Sequence, residues 1–293
     1  MILSFDIGGS RIRAGLWDGQ AMERLGEAET PAGDLDAFVR VIGGFVGDRR
    51  PRGLALSVPG VVDPETGAGK VANIPCIDGL TLGPALTERL ALPVLVLNDA
   101  DCFALAEARL GAARGHRNVF GIILGTGVGG GLVIDGRLVT GAGGYAGEWG
   151  HGPVIHAPHA LPCGCGQVGC LDTIGGARGM ERLHHARSGG EALHTRDIVA
   201  RWRAGEPGAT ATLELWRDLV AGPLAMVVNT VGATLVPAGG GLSNDHALIG
   251  WLDQAVRDCV LRRPPGPLVV PATCGPDAGI LGAAQAGELA WPA

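Results

Sequence analysis

The chain has almost no lysine, no block of like charge and no long apolar run. Lys70 is the only lysine among 23 basic residues, and 29 acidic residues leave a formal net charge of -6 without a basic stretch or an acidic tail. That distribution excludes the electrostatic footprint of a nucleic-acid binder or of a protein drawn to an anionic membrane. Glycine, proline or a charge interrupts each apolar run before the roughly 18 residues that a spanning helix needs, so a soluble protein is expected. No basic and apolar leader precedes the strand-like Ile2-Leu3-Ser4-Phe5-Asp6, and the expected location is the cytoplasm. A disulfide framework is also missing: seven cysteines is an odd number, and three of them, Cys163, Cys165 and Cys170, crowd into eight residues.

What the sequence does have is length, apolar content and glycine. At 293 residues and 46% hydrophobic content it exceeds a typical single domain and can build two cores. The first half reads as strands Ile2 to Ile7, Ile12 to Trp17 and Met22 to Glu29, a helix Leu35 to Phe45, a strand Leu54 to Val58, a helix Leu82 to Leu90, a strand Val94 to Leu97 and a helix Cys102 to Leu110. After a polar break at residues 114–118 the plan repeats, with strands Val119 to Leu124, Gly131 to Ile134 and Arg137 to Thr140. Helices follow near Ile198 to Trp202, Thr212 to Val231, Ala247 to Val260 and Ala278 to Leu289, with strands Thr234 to Val236 and Leu268 to Val270 among them. This is an α/β chain carrying one plan twice, expected as lobes 1–114 and 115–293, with the last helix able to pack back on the first lobe. Each copy sets a glycine turn between its first two strands, and two facing lobes would aim both turns into one cleft.

The first turn, Asp6-Ile7-Gly8-Gly9-Ser10-Arg11, offers backbone N–H groups, a hydroxyl and a cation, which suits phosphate; a plain hairpin explains the glycines as well. In the second, Gly125, Gly127 and Gly130 satisfy the dinucleotide fingerprint, but that fingerprint needs a helix to follow, whereas Gly131-Leu132-Val133-Ile134 continues as a strand. A phosphate-cradling hairpin fits better, since five glycines in seven residues are costly to order without a ligand. Asn98-Asp99 sits at the C-terminal end of an apolar strand, where ligand-contacting groups gather, or alternatively forms an ordinary helix cap. Cys163, Cys165 and Cys170 at C-x-C-x4-C spacing, with His151 twelve residues ahead, make a Cys3His set suited to tetrahedral zinc; His156 and His159 are rival fourth ligands. Late in the chain, Pro237 to Asn244, with Gly239-Gly240-Gly241, lies between a strand and a helix and could face a nucleotide.

Taken together and in this order, these motifs resemble the ROK family, a name covering repressors, open reading frames and kinases. The resemblance implies a two-lobed actin/hexokinase-like fold, a duplicated ribonuclease H-like plan with a cleft between lobes. It implies that Asp6, Gly8, Gly9, Ser10 and Arg11 form the first phosphate motif, Gly125, Thr126 and Gly127 the second, and Gly240 and Gly241 the adenosine-side loop. It further implies that Asp99 is the catalytic base and a sugar contact, that Asn73, Asn98, Glu148 and His151 bind sugar, and that His151 joins Cys163, Cys165 and Cys170 on structural Zn2+. Arg11 stands where the family usually has lysine, and Asp172, one methylene shorter than the glutamate the family usually has there, is the implied contact to the sugar's anomeric side.

The expected reaction is ATP-dependent phosphorylation of a hexose with catalytic Mg2+ near Asp6, lobe closure excluding water. N-acetylglucosamine is expected ahead of glucose, with N-acetylmannosamine and fructose behind, and a homodimer is implied. The alternatives are a glucokinase or a related hexose kinase, a sugar-binding module without catalysis, and a sugar-responsive repressor. The last would carry a helix-turn-helix ahead of the first strand, where Asp6 leaves no room for one.

Overall fold

Ile2, Leu3, Ser4, Phe5 and Ile7 are all buried, as an inner strand covered on both faces requires. A computed structural model describes residues 1–71, 73–190 and 192–292. In chain order the first half holds β1 (Ile2–Ile7), β2 (Arg11–Trp17), β3 (Met22–Glu29), α1 (Leu35–Val46), β4 (Leu54–Val58), β5 (Val61–Val62), β6 (Gly69–Lys70), α2 (Leu82–Leu90), β7 (Val94–Asn98) and α3 (Asp99–Arg109). The second holds β8 (Asn118–Leu124), β9 (Val128–Ile134), β10 (Arg137–Val139), α4 (Asp172–Gly175), α5 (Ala177–Ser188), α6 (Thr195–Arg203), α7 (Pro207–Val231), β11 (Val236–Gly239), α8 (His246–Cys259), β12 (Val269–Pro271) and α9 (Ala278–Ala290).

The first five-stranded sheet runs β3-β2-β1-β4-β7 and the second runs β10-β9-β8-β11-β12, so both take the same order of third, second, first, fourth and fifth strand. The duplicated plan read from the sequence is therefore present in the sheets. In the first, β1 pairs antiparallel with β2 and parallel with β4, which pairs parallel with β7; in the second, β11 is parallel to both β8 and β12. The chain divides into two compact units, one holding Met1–Arg114, Gly131–Ala146 and the residues from Cys274 on, the other Gly115–Gly130 and Gly147–Thr273.

In the first unit, Phe38 and Ile42 of α1 and Leu82 and Leu86 of α2 share a core with Leu3, Phe5, Leu54 and Leu56. A second cluster joins Ile2 and Ala55 to Cys102 of α3 and to Ala283 and Ala284 of α9. Helices α3 and α9 approach so closely that a Cβ on Gly282 would overlap the Cys102 carbonyl. In the second unit, Trp216 of α7 is fully buried and its Nε1 donates to the Gly175 carbonyl at 3.0 Å.

Side-chain caps move several boundaries away from the apolar periodicity. Helix α3 starts at Asp99, three residues earlier than expected, because Asn98 Oδ1 accepts from the N–H groups of Ala100 and Asp101. Helix α7 starts at Pro207 because the Glu206 carboxylate accepts from the N–H groups of Gly208 and Ala209. Strand β9 begins at Val128, within the glycine run, and β11 begins two residues later than expected. Helix α5 was not anticipated: only Gly179, Met180, Leu183 and His184 are buried on it, too thin an apolar stripe to read. Among the described residues no helix is long and apolar enough to cross a membrane.

The α3–α9 contact yields a stability prediction. Gly282→Ala is expected to lower stability by about 1–3 kcal/mol, the usual cost of overpacking. Gly250→Ala, with nothing within 4 Å of the added carbon on α8, is expected to be neutral or slightly stabilising. Thermal melts of both variants decide it, and a Gly282→Ala melt at or above wild type would contradict the packing.

Candidate active site and metal centre

In the first unit the β1–β2 turn is closed by the Gly8 N–H donating to the Arg11 carbonyl at 2.8 Å. Thr30 braces it, its hydroxyl donating to Gly8 O at 2.7 Å and its N–H to Ser10 O at 3.0 Å. Gly9, Ser10 and Arg11 are exposed, and a Cβ on Gly9 would lie 3.4 Å from the Asn73 side chain, so Asn73 stands beside this turn. The Arg11 guanidinium pairs with Glu27 at 2.6 Å, with both side chains at least half exposed; such pairs are weak and yield readily to a stronger anion.

Asp6, at the end of β1, has a side chain only 18% exposed. Arg13 donates to its Oδ2 at 2.5 Å and to the Pro276 carbonyl at 2.7 Å. Burial pushes the Asp6 carboxyl above its ordinary range, the Arg13 guanidinium pulls against that, and Asp277 adds to the rise. Gly279 of α9 leaves room for the carboxylate, since a Cβ there would sit 2.6 Å from its Cγ. Arg13 was not singled out from the sequence, although the β1–β2 register that sets it opposite Asp6 follows from the position of the turn.

Asn98 ends β7 and caps α3, and its Nδ2 donates to the Gly60 carbonyl at 2.8 Å. The cap alternative is thus real for Asn98, which keeps one amide hydrogen for other use. Asp99 follows as the first residue of α3, half-buried, with Oδ1 accepting from the Ala100 N–H at 2.9 Å.

In the second unit the glycine turn is held from several sides. Gly125 N–H donates to Gly127 O at 3.0 Å, Ala177 N–H donates to Gly125 O at 2.8 Å, and Val128 N–H donates to Asp172 Oδ1 at 2.8 Å. Trp149 Nε1 donates to Gly129 O at 2.8 Å, and a Cβ on Gly150 would sit 2.5 Å from Val128 O. The loop carrying Glu148 and His151 therefore packs on the start of β9.

His151 lies with its Nε2 3.7 Å from Glu148 Oε2 and its Nδ1 3.7 Å from Cys163 Sγ. Cys165 and Cys170 sulfurs are 3.6 Å apart, and the ligand atoms of His151, Cys163, Cys165 and Cys170 all lie within 4.8 Å of one another, a group able to hold a metal ion. Of the rival ligands, His156 is exposed and His159 half-buried, and neither is in that group. A tight turn makes the convergence possible: Cys163 N–H donates to Gln167 O at 2.8 Å and Gly166 N–H to Cys163 O at 3.0 Å. The Gln167 N–H draws the Cys165 thiol down to about 7, toward the thiolate that binds metal. Burial raises the Glu148 carboxyl; the nearby His151 opposes this and Asp172 adds to it.

Gly240, at φ +86°, comes so near the Leu124 carbonyl that a Cβ would sit 2.5 Å away. Beside it opens a cavity of about 330 Å³ lined by Gly241, Leu242, Asn244 and Asp245 and, from α6, by Thr195, Arg196, Val199, Ala200 and Arg203. The α6 residues carry no motif and were not foreseen as lining residues.

A family model described as the ROK family matches residues 2–287. The chain is 35% identical over 302 residues to the N-acetylgalactosamine kinase of Shewanella sp. strain ANA-3, covering 98% of this chain and 97% of that one. It is 35% identical over 299 residues to the N-acetyl-D-glucosamine kinase of Pasteurella multocida strain Pm70, covering 97% and 98%. Among solved structures, a ROK hexokinase from Thermus thermophilus matches with a TM-score of 0.86 at 29% identity over 97% of this chain and 96% of that one. A ROK family glucokinase from Streptomyces griseus, in complex with glucose and AMPPNP, matches with a TM-score of 0.76 at 27% identity over 97% and 98%.

Proposed function

The chain belongs to the ROK family, and from that membership we propose that it is a cytoplasmic ATP-dependent hexose kinase, acting as a homodimer, that converts N-acetylglucosamine to its 6-phosphate. The observation that carries this reading is Asp99, a carboxylate at the C-terminal end of β7 in the same unit as the Asp6 turn. Strand ends of this kind are where open α/β sheets place ligand chemistry.

Phosphoryl transfer asks a protein mainly for positioning and charge stabilisation. Asp99 accepts the proton of the sugar's primary hydroxyl as that oxygen attacks the γ-phosphorus of ATP in line, the bond to the β,γ-bridging oxygen breaks and ADP leaves. Gly8, Gly9, Ser10 and Arg11 at one turn and Gly125, Thr126 and Gly127 at the other donate to phosphate oxygens, and the cavity beside Gly240 and Gly241 takes the adenosine. Asn73, Asn98, Glu148 and His151 bind sugar hydroxyls, Asn98 through its remaining amide hydrogen. Asp6, a carboxylate already held by Arg13, suits a hard cation that keeps its own waters, and so would hold Mg2+ through water. When bound there, Mg2+ neutralises phosphate charge.

Three thiols and one imidazole fit Zn2+, and His151, Cys163, Cys165 and Cys170 would hold it with four protein ligands, the donor set of a structural rather than a catalytic ion. His151 serves both purposes in this reading, its Nδ1 turned to the sulfurs and its Nε2 toward Glu148.

A second reading, an N-acetylgalactosamine kinase, is favoured by the equal identity to the Shewanella relative. The two sugars share the 2-acetamido group and differ at C4, so both readings require an acetamide pocket.

Two outcomes follow. Asp99→Asn is expected to lower kcat by about two orders of magnitude or more while sugar affinity stays within several fold; near-normal turnover would remove Asp99 from the mechanism. Elemental analysis of the purified protein is expected to find one zinc per chain, and Cys165→Ser to lose zinc and melt earlier; zinc-free wild-type protein, or an unchanged melt, would contradict the structural site.

A further inference from the structure

Contacts made by Asp172, Gly176 and Ala177 tie the segment that follows the last cysteine of the Cys3His group to the second glycine turn. Asp172 Oδ1 accepts from the Val128 N–H at 2.8 Å. The same oxygen occupies the space a Cβ on Gly127 would need. A Cβ on Gly176 would sit 2.7 Å from both the Gly127 Cα and the Thr126 carbonyl, and Ala177 N–H donates to the Gly125 carbonyl at 2.8 Å. Asp172 is itself anchored, its N–H donating to the Gly150 carbonyl at 2.8 Å. From these contacts we propose that Asp172 is a positioning residue for the turn 125–128 and so governs nucleotide affinity, rather than a ligand of the sugar; this rests on the kinase reading.

The physical reason lies in the turn. Its glycines give the backbone the freedom to wrap phosphate, and that freedom has to be removed before the N–H groups point one way. A carboxylate accepting a backbone N–H makes a charge-assisted bond, stronger than a neutral one, and it fixes Val128 at the point where the turn passes into β9. Side-chain length matters here. Aspartate reaches the amide directly, with its Oδ1 already where a Cβ on Gly127 would lie, and one more methylene would have to move the carboxylate off this contact. The shorter residue at this position is therefore fitted to the turn.

The test uses zinc-loaded full-length protein and measures separately, by calorimetry, the Kd of a non-hydrolysable ATP analogue with Mg2+ and the Kd of N-acetylglucosamine. Asp172→Ala is expected to weaken the analogue roughly tenfold, the worth of one such hydrogen bond, and to change sugar affinity less than about threefold. Asp172→Asn, whose amide oxygen still accepts from Val128, is expected to stay within about threefold of wild type for the analogue, and Asp172→Glu to resemble the alanine variant. Melting temperature and zinc content of each variant report whether it folds; if Asp172→Ala does not, the asparagine and glutamate variants decide. Loss of sugar affinity with unchanged analogue affinity would overturn the proposal and make Asp172 a sugar ligand. Equal analogue affinity in the glutamate variant and wild type would overturn it as well. Failure of the kinase reading is told apart, because wild-type protein would then bind no analogue.

Discussion

The second glycine turn and the pocket of the Asp6 carboxylate depend on one constraint: a glycine set so close to a neighbour that no Cβ fits. At the second turn the neighbour of Gly127 is Asp172, and Gly240 passes equally near Leu124. At the pocket, Gly279 of α9 makes the room in which the Asp6 carboxylate lies. Close approach of this kind does two things at once. It removes conformational freedom from chain that would otherwise be loose, and it brings N–H groups and carboxylates within reach of a small ligand without intervening side chains.

Charge is handled differently in the two units. Asp6 is half-buried and has a built-in partner in Arg13, which keeps a carboxylate usable where burial alone would favour its neutral form. Among the described residues Glu148 pairs with a neighbouring histidine, and that histidine belongs to the Cys3His group. Thiols, imidazole and carboxylate thus form one chain of contacts. Since Trp149, Gly150 and Asp172 also pack on residues 127–129, a change in the loop carrying the Cys3His group reaches the glycine turn through side-chain-to-backbone bonds and close packing. Order in this loop and order in the turn are one property of the fold.

Much of this was legible in the sequence wherever a local rule sufficed. Strands β1, β3 and β4 and helix α2 have the bounds their apolar pattern implied, and the repeat of the strand plan appears as two sheets of the same order. The cysteine spacing named the residues that converge, and the structure brings His151 rather than His156 or His159 to them. Illegible were features made by contact between distant segments. Asp172 meets Val128 across 44 positions, Gly282 meets Cys102, and α6 turns Val199 and Arg203 toward Gly241, none of which leaves a periodic trace. Helix α5 escaped because His184 replaces an aliphatic residue in its stripe and bonds the Thr212 hydroxyl at 2.9 Å.

The central claim is that this chain transfers phosphate from ATP to a hexose bearing an acetamide. The most direct measurement is ADP release from purified protein given ATP, Mg2+ and, one at a time, N-acetylglucosamine, N-acetylgalactosamine, glucose, N-acetylmannosamine and fructose. The account predicts sugar-dependent ADP with kcat/KM for N-acetylglucosamine roughly ten- to a hundredfold above glucose, because glucose leaves the polar partners of the acetamide unpaired. Glucose equal to or ahead of N-acetylglucosamine would contradict the acetamide assignment, and no sugar-dependent ADP with any of the five would contradict the kinase itself.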